Sequence, residues 1–171
     1  MDLRDVKEFF KDSLVYIVCA VLVFFTVVYV VGLQMVSGPS MEPNYQSQDI
    51  LLLNKFHYRL FKPKRFQVIA TQDRNRELLI KRIVGMPGEH IKYVDNKLYV
   101  NGKHVEENFR TGSDSRDFDL EFLEFEKIPE GYYFVMGDNR AKSSDSRNPL
   151  VGLINKDDFI GKVAFRLWRT K

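Results

Sequence analysis

The hydrophobic and polar positions divide this chain into two unequal parts. Residues 14–33 form an apolar run of about 20 residues without a charge, which is long enough to cross the hydrocarbon core of a bilayer as a helix. A cleaved signal peptide is one alternative, although its apolar region is usually about 7–15 residues long. The buried helix of a soluble domain is another. We favour a transmembrane helix at residues 14–34, preceded by a short segment with amphipathic helical character at residues 1–13.

The charges on either side of the apolar run indicate its orientation. Arg4, Lys7 and Lys11 precede it, and the first basic residue after it is Lys55. The positive-inside rule then places residues 1–13 in the cytoplasm and residues 35–171 on the far side of the membrane. The pattern therefore predicts a single-pass protein of the cell membrane with an extracytoplasmic domain.

Beyond the apolar run, short segments rich in β-branched and aromatic residues predict strands. The dipeptide Asn101-Gly102 between two such segments favours a tight hairpin. The predicted strands are Ile50–Leu53, Gln67–Thr71, Leu78–Val84, His90–Val94, Lys97–Val100, Lys103–Val105, Leu120–Phe125, Tyr132–Met136 and Gly161–Trp168. The polar segment 106–119 is predicted to be a loop. Residues 35–171 are thus expected to form a mainly β domain, a folded-over sheet or barrel.

Composition excludes several kinds of site. The single cysteine, Cys19, permits neither an intrachain disulfide nor a zinc site built from several cysteines. The histidines at 57, 90 and 104 lack metal-ligand spacing. A net charge of +3, spread along the chain, is too small to indicate a nucleic-acid partner. We therefore predict no metal, no cofactor and no nucleic acid.

One basic stretch leaves two interpretations open. Residues 55–65 combine five basic side chains with Phe56, Tyr58 and Phe61. A solvated loop explains this composition, and so does contact with anionic lipid headgroups close to the span.

Two further positions suggest catalytic chemistry. Ser40 lies in a Gly/Pro-containing turn just beyond the apolar run, and Lys81 lies in an otherwise apolar predicted strand. A serine nucleophile needs a base, and a lysine serves as one when burial removes its proton. From a reference pKa of about 10.4, this requires a drop of about 3 units, or roughly 4 kcal/mol. Taken alone, Ser40 fits a plain turn, Lys81 fits an outward-facing strand position, and the charges at 138–147 fit surface ion pairs.

Three motifs, in order behind a span, change this balance. They are Ser40-Met41-Glu42-Pro43, Lys81-Arg82-Ile83-Val84-Gly85-Met86-Pro87-Gly88, and Gly137-Asp138-Asn139-Arg140 followed by Ser143, Asp145, Ser146 and Arg147. In these motifs the chain resembles the bacterial type I signal peptidases, in their short Gram-positive form. The resemblance extends from the span to the C-terminus.

The resemblance implies a membrane-anchored serine endopeptidase that cleaves signal peptides from exported preproteins after small residues, in the Ala-x-Ala pattern. It implies Ser40 as nucleophile, Lys81 as general base and Ser143 as a hydrogen-bond partner that orients the Lys81 amine. Two supporting ion pairs are expected, Arg82 with Asp138 and Asp145 with Arg147. The Ser40 N–H is expected as one oxyanion donor; the family's serine donor two positions earlier is Gly38 here, so a backbone group must replace it.

The chain departs from the family pattern at a few turn positions. Asn44 replaces a threonine, and Gln48-Asp49 and Phe66-Gln67 each stand where the family has Gly-Asp. We expect these changes to affect turn geometry and substrate range. A Ser/Lys autoprotease of the SOS-repressor type and a non-catalytic anchored β-domain are the alternative functions; the span argues against the first and the motif set against the second.

Overall fold

In the computed structural model, a long N-terminal helix precedes the β domain. The structure describes residues 3–112 and 116–169. Helix α1 spans Leu3–Val30, so from Leu3 onward the predicted lead-in helix is continuous with the apolar one, and residues 1 and 2 lie outside the described part. The stretch Lys11–Val30 is long and apolar enough to cross a membrane, and none of it is buried against the rest of the protein.

The helix ends earlier than residue 34, where the sequence placed the end of the span. Residues Val31–Met35 form strand β1, which pairs antiparallel with β2, Ile50–Asn54. The backbone groups of β1 therefore find partners in the sheet instead of continuing the helical ladder. A Cβ at Gly32 would lie 2.7 Å from the Lys55 Cε, and the flexible lysine side chain relieves such a contact by moving. The apolar helix thus runs directly into the edge strand of the domain.

The domain consists of two antiparallel sheets, which confirms the predicted mainly β fold. The larger sheet has seven strands in the order β1-β2-β11-β3-β4-β9-β10. Its remaining strands are β3 Val68–Gln72, β4 Leu78–Gly85, β9 Tyr132–Met136, β10 Ile154–Asn155 and β11 Phe159–Trp168. The smaller sheet, in the order β7-β6-β5-β8, contains β5 Ile91–Val94, β6 Lys97–Val100, β7 Lys103–Val105 and β8 Phe118–Asp119. A short helix, α2 at His57–Leu60, and two 3₁₀ turns at Leu120–Leu123 and Lys156–Asp158 complete the fold.

One predicted strand, Leu120–Phe125, is wrong. Residues Leu120–Leu123 form a 3₁₀ turn in which the Asp119 carboxylate accepts a hydrogen bond from the Glu121 N–H. Glu124 ends the turn in the left-handed region, with φ 64°. The local cap at Asp119 therefore outweighs the strand propensity of the Leu and Phe residues.

Two buried clusters position the functional residues. A cluster around Tyr93 and Phe134 joins the small sheet to β4 and β9. Gly85 makes this junction possible, because a Cβ there would come within 2.5 Å of the Ile128 side chain. A second cluster packs Met41, Leu51 and their neighbours beneath the turn that carries Ser40.

Candidate active site

Ser40 lies in a turn that is anchored on both sides. Met41, the next residue, is fully buried in the core, and its carbonyl accepts a hydrogen bond from the Tyr45 N–H at 2.9 Å. The Ser40 carbonyl accepts a hydrogen bond from the Asn139 N–H at 3.0 Å. These contacts hold the backbone of Ser40 between the second core cluster and the 137–147 segment, while its side chain stays half-buried.

The Lys81 side chain reaches this turn from strand β4. Its Nζ lies 2.9 Å from the Ser40 Oγ, which is hydrogen-bond distance. Lys81 is only 3% exposed, because both faces of β4 are covered at this point of the sheet. The outward-facing alternative is therefore wrong, and the structure brings together the two residues that the motifs predicted.

Burial lowers the pKa of the Lys81 amine from its ordinary value. The carboxylates of Asp145 and Asp138 act in the opposite direction, and Arg147 lowers the pKa further. Among the described residues no carboxylate lies within ion-pair distance of Nζ. Desolvation therefore dominates, and the environment favours the neutral amine that a base requires.

The expected ion pair between Arg82 and Asp138 is present and buried. The Arg82 Nε and Nη2 donate to the two Asp138 carboxylate oxygens at 2.7 and 2.6 Å. Asp138 is fully buried. The third nitrogen of the Arg82 guanidinium, Nη1, donates to the Phe66 carbonyl at 2.8 Å. Because neighbouring residues of a strand point to opposite faces, Arg82 braces the side of β4 that Lys81 leaves free.

The second expected ion pair shapes the 137–147 segment. The Arg147 Nε and Nη2 donate to the Asp145 carboxylate, each at 2.8 Å. Asp145 also accepts the Gly137 N–H at 3.0 Å, and Arg147 Nη2 reaches the Arg140 carbonyl at 2.7 Å. Because Asp138 and Asp145 are both buried, the alternative of loose surface pairs does not apply.

Ser143 lies at the site without the predicted contact to Lys81. Its Oγ is buried and makes no hydrogen bond within the described residues. It packs against Gly137 so closely that a Cβ at residue 137 would lie 2.2 Å from the hydroxyl oxygen. The structure thus explains the glycine at 137, but the orienting bond from Ser143 to the amine is not formed.

Gly38 precedes Ser40 in a conformation that favours glycine, with φ +75° and open space around its Cβ position. Among the described residues, no intramolecular hydrogen bond engages the Ser40 N–H. A donor group next to the nucleophile is therefore free to bind a ligand.

Several residues of the site were not identified from the sequence. They belong to the segment 106–112, here called the strap, which the sequence predicted only as a polar loop. The Phe109 ring packs against the Arg82 guanidinium, 4.0 Å from ring centre to Cζ. The Gly112 N–H donates to the Asp138 carbonyl at 2.9 Å. The strap therefore covers the Arg82–Asp138 pair from outside.

A buried charge cluster fastens the strap to the rest of the site. Glu107 pairs with Arg140, and both groups contact the Tyr93 hydroxyl. Arg140 is 3% exposed and Tyr93 is 1% exposed. A single aromatic residue in a polar loop was the only local signal for this element, because the partners of Glu107 and Phe109 are distant in sequence.

The family comparison agrees with this geometry. The family model described as signal peptidase, peptidase S26, matches residues 7–168. The chain belongs to the signal peptidase S26 family. It is 41% identical over 138 residues to signal peptidase I V of Bacillus subtilis (strain 168), covering 75% of this chain and 81% of that protein. It is 37% identical over 145 residues to signal peptidase I of Bacillus caldolyticus, covering 80% and 79%.

A solved structure supports the fold assignment of this S26 member. The crystal structure of a signal peptidase I from Enterococcus faecalis V583 aligns with a TM-score of 0.54 and 38% sequence identity. The alignment covers 61% of this chain and 98% of that one. The resemblance deduced from the motifs is thereby confirmed.

The departures from the S26 pattern have structural consequences at the turns. Gln48 and Phe66, each in place of a glycine, adopt left-handed φ values of 71° and 67°, a region that disfavours residues with a side chain. The Asn44 side-chain amide donates to the Asp138 carboxylate and to the Arg110 carbonyl, both at 2.8 Å. Asn44 thus links the nucleophile turn, the Arg82–Asp138 pair and the strap.

Among residues 3–112 and 116–169, no three histidine, cysteine or carboxylate side chains lie together in an arrangement that could hold a metal ion.

Proposed function

We propose that this protein is a membrane-anchored serine endopeptidase that removes N-terminal signal peptides from exported preproteins. The observation that carries the proposal is the 2.9 Å contact between the buried Lys81 Nζ and the Ser40 Oγ. A hydroxyl and a desolvated amine at hydrogen-bond distance form the nucleophile–base pair that acyl transfer requires.

The reaction follows from the positions of these groups. The neutral Lys81 amine takes the Ser40 hydroxyl proton while Oγ attacks the scissile carbonyl carbon. The C–N bond then breaks as the ammonium returns this proton to the leaving amine, and an ester on Ser40 remains. Water, deprotonated by the same amine, hydrolyses the ester and restores Ser40. The Ser40 N–H stabilises the oxyanion, a contribution of about 10²–10³ in rate for one donor.

The first half of β4 supports binding of an extended substrate. On one side β3 pairs with Leu78–Arg82, but on the other side β9 begins to pair only at Arg82. Within the described residues, 78–81 thus have no strand neighbour on the side of β9. A peptide that adds there as a strand passes the residue that carries the base, and its side chains alternate into the site. The preference for small residues before the cut is taken over from the family resemblance.

The anchor supports a site at the membrane surface. A single strand and a turn separate the end of α1 from Ser40. With the N-terminus in the cytoplasm, as the flanking charges predict, the domain lies at the outer face of the cell membrane. A signal peptide whose apolar core occupies the bilayer then presents its cleavage site at the depth of Ser40.

Cleavage by purified variants tests the proposal. The full chain in detergent is mixed with a preprotein whose signal ends in Ala-x-Ala, and product is followed by gel and mass spectrometry. We expect Ser40→Ala and Lys81→Arg each to lose at least about a thousandfold in rate, because arginine keeps the charge but cannot deprotonate.

The exposed Lys97 supplies the matched control. Lys97→Arg should cleave at the wild-type rate. Wild-type cleavage by Lys81→Arg would refute the dyad, and a wild-type protein that leaves the preprotein intact would refute the function.

A further inference from the structure

A groove lies between the end of the apolar helix and the domain. Its walls are apolar on the helix side and cationic on the domain side, and we call it the basic groove. It is lined by Val28, Tyr29, Lys55, Tyr58, Arg59, Lys156, Asp157, Phe159 and Ile160. The Ser40–Lys81 site shares none of these residues.

Backbone contacts fix the height of the basic groove relative to the apolar helix. The Lys55 N–H donates to the Val30 carbonyl at 2.8 Å, and the Lys55 Nζ lies 3.5 Å from the Val28 carbonyl. The cations are therefore level with the last turn of α1. In a membrane-spanning chain this is the headgroup region, where lysine, arginine and tyrosine side chains are favoured. Tyr29, 64% exposed, lies at the same level.

The cations of the basic groove have no carboxylate partners. Within the described residues Lys55, Arg59 and Lys156 form no ion pair, and Asp157 is the only acidic residue in the lining. The positive potential also extends to the neighbouring segment: besides burial, Lys162 and Lys64 lower the pKa of His57. An anion entering the groove therefore meets an excess of positive charge.

The surroundings of these cations are apolar as well as basic. Leu60 and Phe61, in and after the helix α2 that carries Arg59, are 65% and 58% exposed. The exposed side chains of Val28 and Tyr29 continue the apolar surface along α1. A small free anion would interact only with the positive charges, whereas an amphiphile would interact with both the charges and the apolar surface.

We propose that the basic groove binds an anionic phospholipid, with its phosphate near Lys55, Arg59 and Lys156 and an acyl chain along Val28 and Tyr29. The inference rests on the proposed membrane anchoring, but not on the catalytic roles of Ser40 and Lys81. Bound lipid holds the domain at a constant height above the bilayer through β2, which ends at Asn54, the residue before Lys55. Of the two interpretations of the basic stretch, this proposal adopts contact with lipid headgroups.

Native mass spectrometry of the full chain tests the proposal. The protein, in neutral detergent, receives equal amounts of phosphatidylglycerol and phosphatidylcholine, and the bound lipids are counted. The Ser40→Ala background separates binding from catalysis. We expect preferential retention of phosphatidylglycerol, and at least about a tenfold loss of that preference when Lys55, Arg59 and Lys156 are all replaced by Gln, since each cation near anionic lipid contributes about fivefold.

A charge-matched variant provides the control. Replacing the exposed Lys97, Lys103 and Lys127 by Gln removes the same charge elsewhere on the domain and should leave the preference unchanged. Equal losses in the two triple variants would overturn the proposal, because they would indicate net charge alone. If the groove triple variant unfolds, the single variant Arg59→Gln answers the same question, with an expected loss of about fivefold.

Two further results distinguish the outcomes. Inorganic phosphate at millimolar concentration should not displace phosphatidylglycerol; if it does, the groove is a simple anion site and the lipid assignment is wrong. If the protein with Ser40 intact and an unaltered groove prefers phosphatidylglycerol but fails to cleave preproteins, the proposed function alone is overturned. If that protein cleaves preproteins but shows no preference for phosphatidylglycerol, this inference alone is overturned.

Discussion

The active site and the basic groove both contain several cationic side chains, but in the described part of the chain only those of the active site form ion pairs with carboxylates. In the active site Arg82 and Arg147 pair with the buried carboxylates of Asp138 and Asp145, and Arg140 pairs with the half-buried Glu107. In the groove Lys55, Arg59 and Lys156 form no ion pair within the described residues. Buried pairs fix geometry, because the directions of several hydrogen bonds must be satisfied together. Surface cations that have no ion-pair partner in the protein can bind an anionic ligand from outside.

Lys81 shows that the distinction also holds within the active site. Among the described residues of the site, it is the one buried basic residue whose nitrogen contacts a hydroxyl and no carboxylate. Arginine cannot lose its proton in a protein, whereas the pKa of lysine responds strongly to burial. In the proposed mechanism the paired arginines are fixed structure, and the lysine is the group that titrates.

The largest expected effect on stability comes from removing one partner of the Arg82–Asp138 ion pair. Asp138→Asn removes a fully buried charge and leaves the largely enclosed Arg82 without its partner, so we expect a loss of about 3–5 kcal/mol in the free energy of unfolding. Asp157→Asn in the basic groove removes an exposed charge and should change stability by less than about 0.5 kcal/mol. Thermal unfolding of both variants in detergent measures the difference. Similar losses of stability in the two variants would show that burial and ion pairing do not distinguish the active site from the basic groove.

The strap provides the second test. Glu107→Gln removes the charge that faces Arg140 but keeps the shape of the side chain, and we expect a loss of about 2 kcal/mol in stability. Because the strap covers the Arg82–Asp138 pair through Phe109, kcat should fall while KM changes little. Glu106→Gln, at an exposed neighbouring position, is the control and should leave both stability and kcat unchanged. If Glu107→Gln has the same stability and kcat as this control, the strap does not contribute to the site.

Local patterns predicted most strands correctly because alternation and turn chemistry are local. Asn101 and Gly102, for instance, adopt the positive φ values of 50° and 76° that their hairpin requires. The elements that sequence reasoning missed depend on distant partners. Strand β1 exists because β2 pairs with it, and the apolar run alone gives no sign of where the helix ends.

The same limit applies to the active site. The motifs identified Ser40, Lys81 and both flanking ion pairs, since each lies within a short, recognisable stretch. They did not reveal Glu107 and Phe109, whose partners lie 33 and 27 residues away at Arg140 and Arg82. Nor did they predict that the Ser143 hydroxyl packs against Gly137, because a motif specifies residue types but not the rotamer that packing selects.

The smallest effect concerns the lysine itself and is read from the pH dependence of cleavage. In the proposed mechanism only the neutral Lys81 amine acts as base, so the rate should fall about tenfold per pH unit below its pKa. Burial lowers that pKa, which places this acid limb below the pH at which an exposed lysine would titrate. Asp138 favours the protonated amine; hence the residual activity of Asp138→Asn should persist to lower pH than that of the wild type.

Asp157→Asn gives the matched comparison, because Asp157 is not among the groups that influence the Lys81 pKa, and its acid limb should coincide with that of the wild type. An acid limb in Asp138→Asn that stays in place or moves to higher pH would mean that the group titrating in cleavage is not Lys81. A shift to lower pH in Asp138→Asn alone would show that the Asp138 carboxylate, although paired with Arg82, raises the pKa of the Lys81 amine. The ion-paired charges of the site would then influence catalysis through the proton affinity of Lys81.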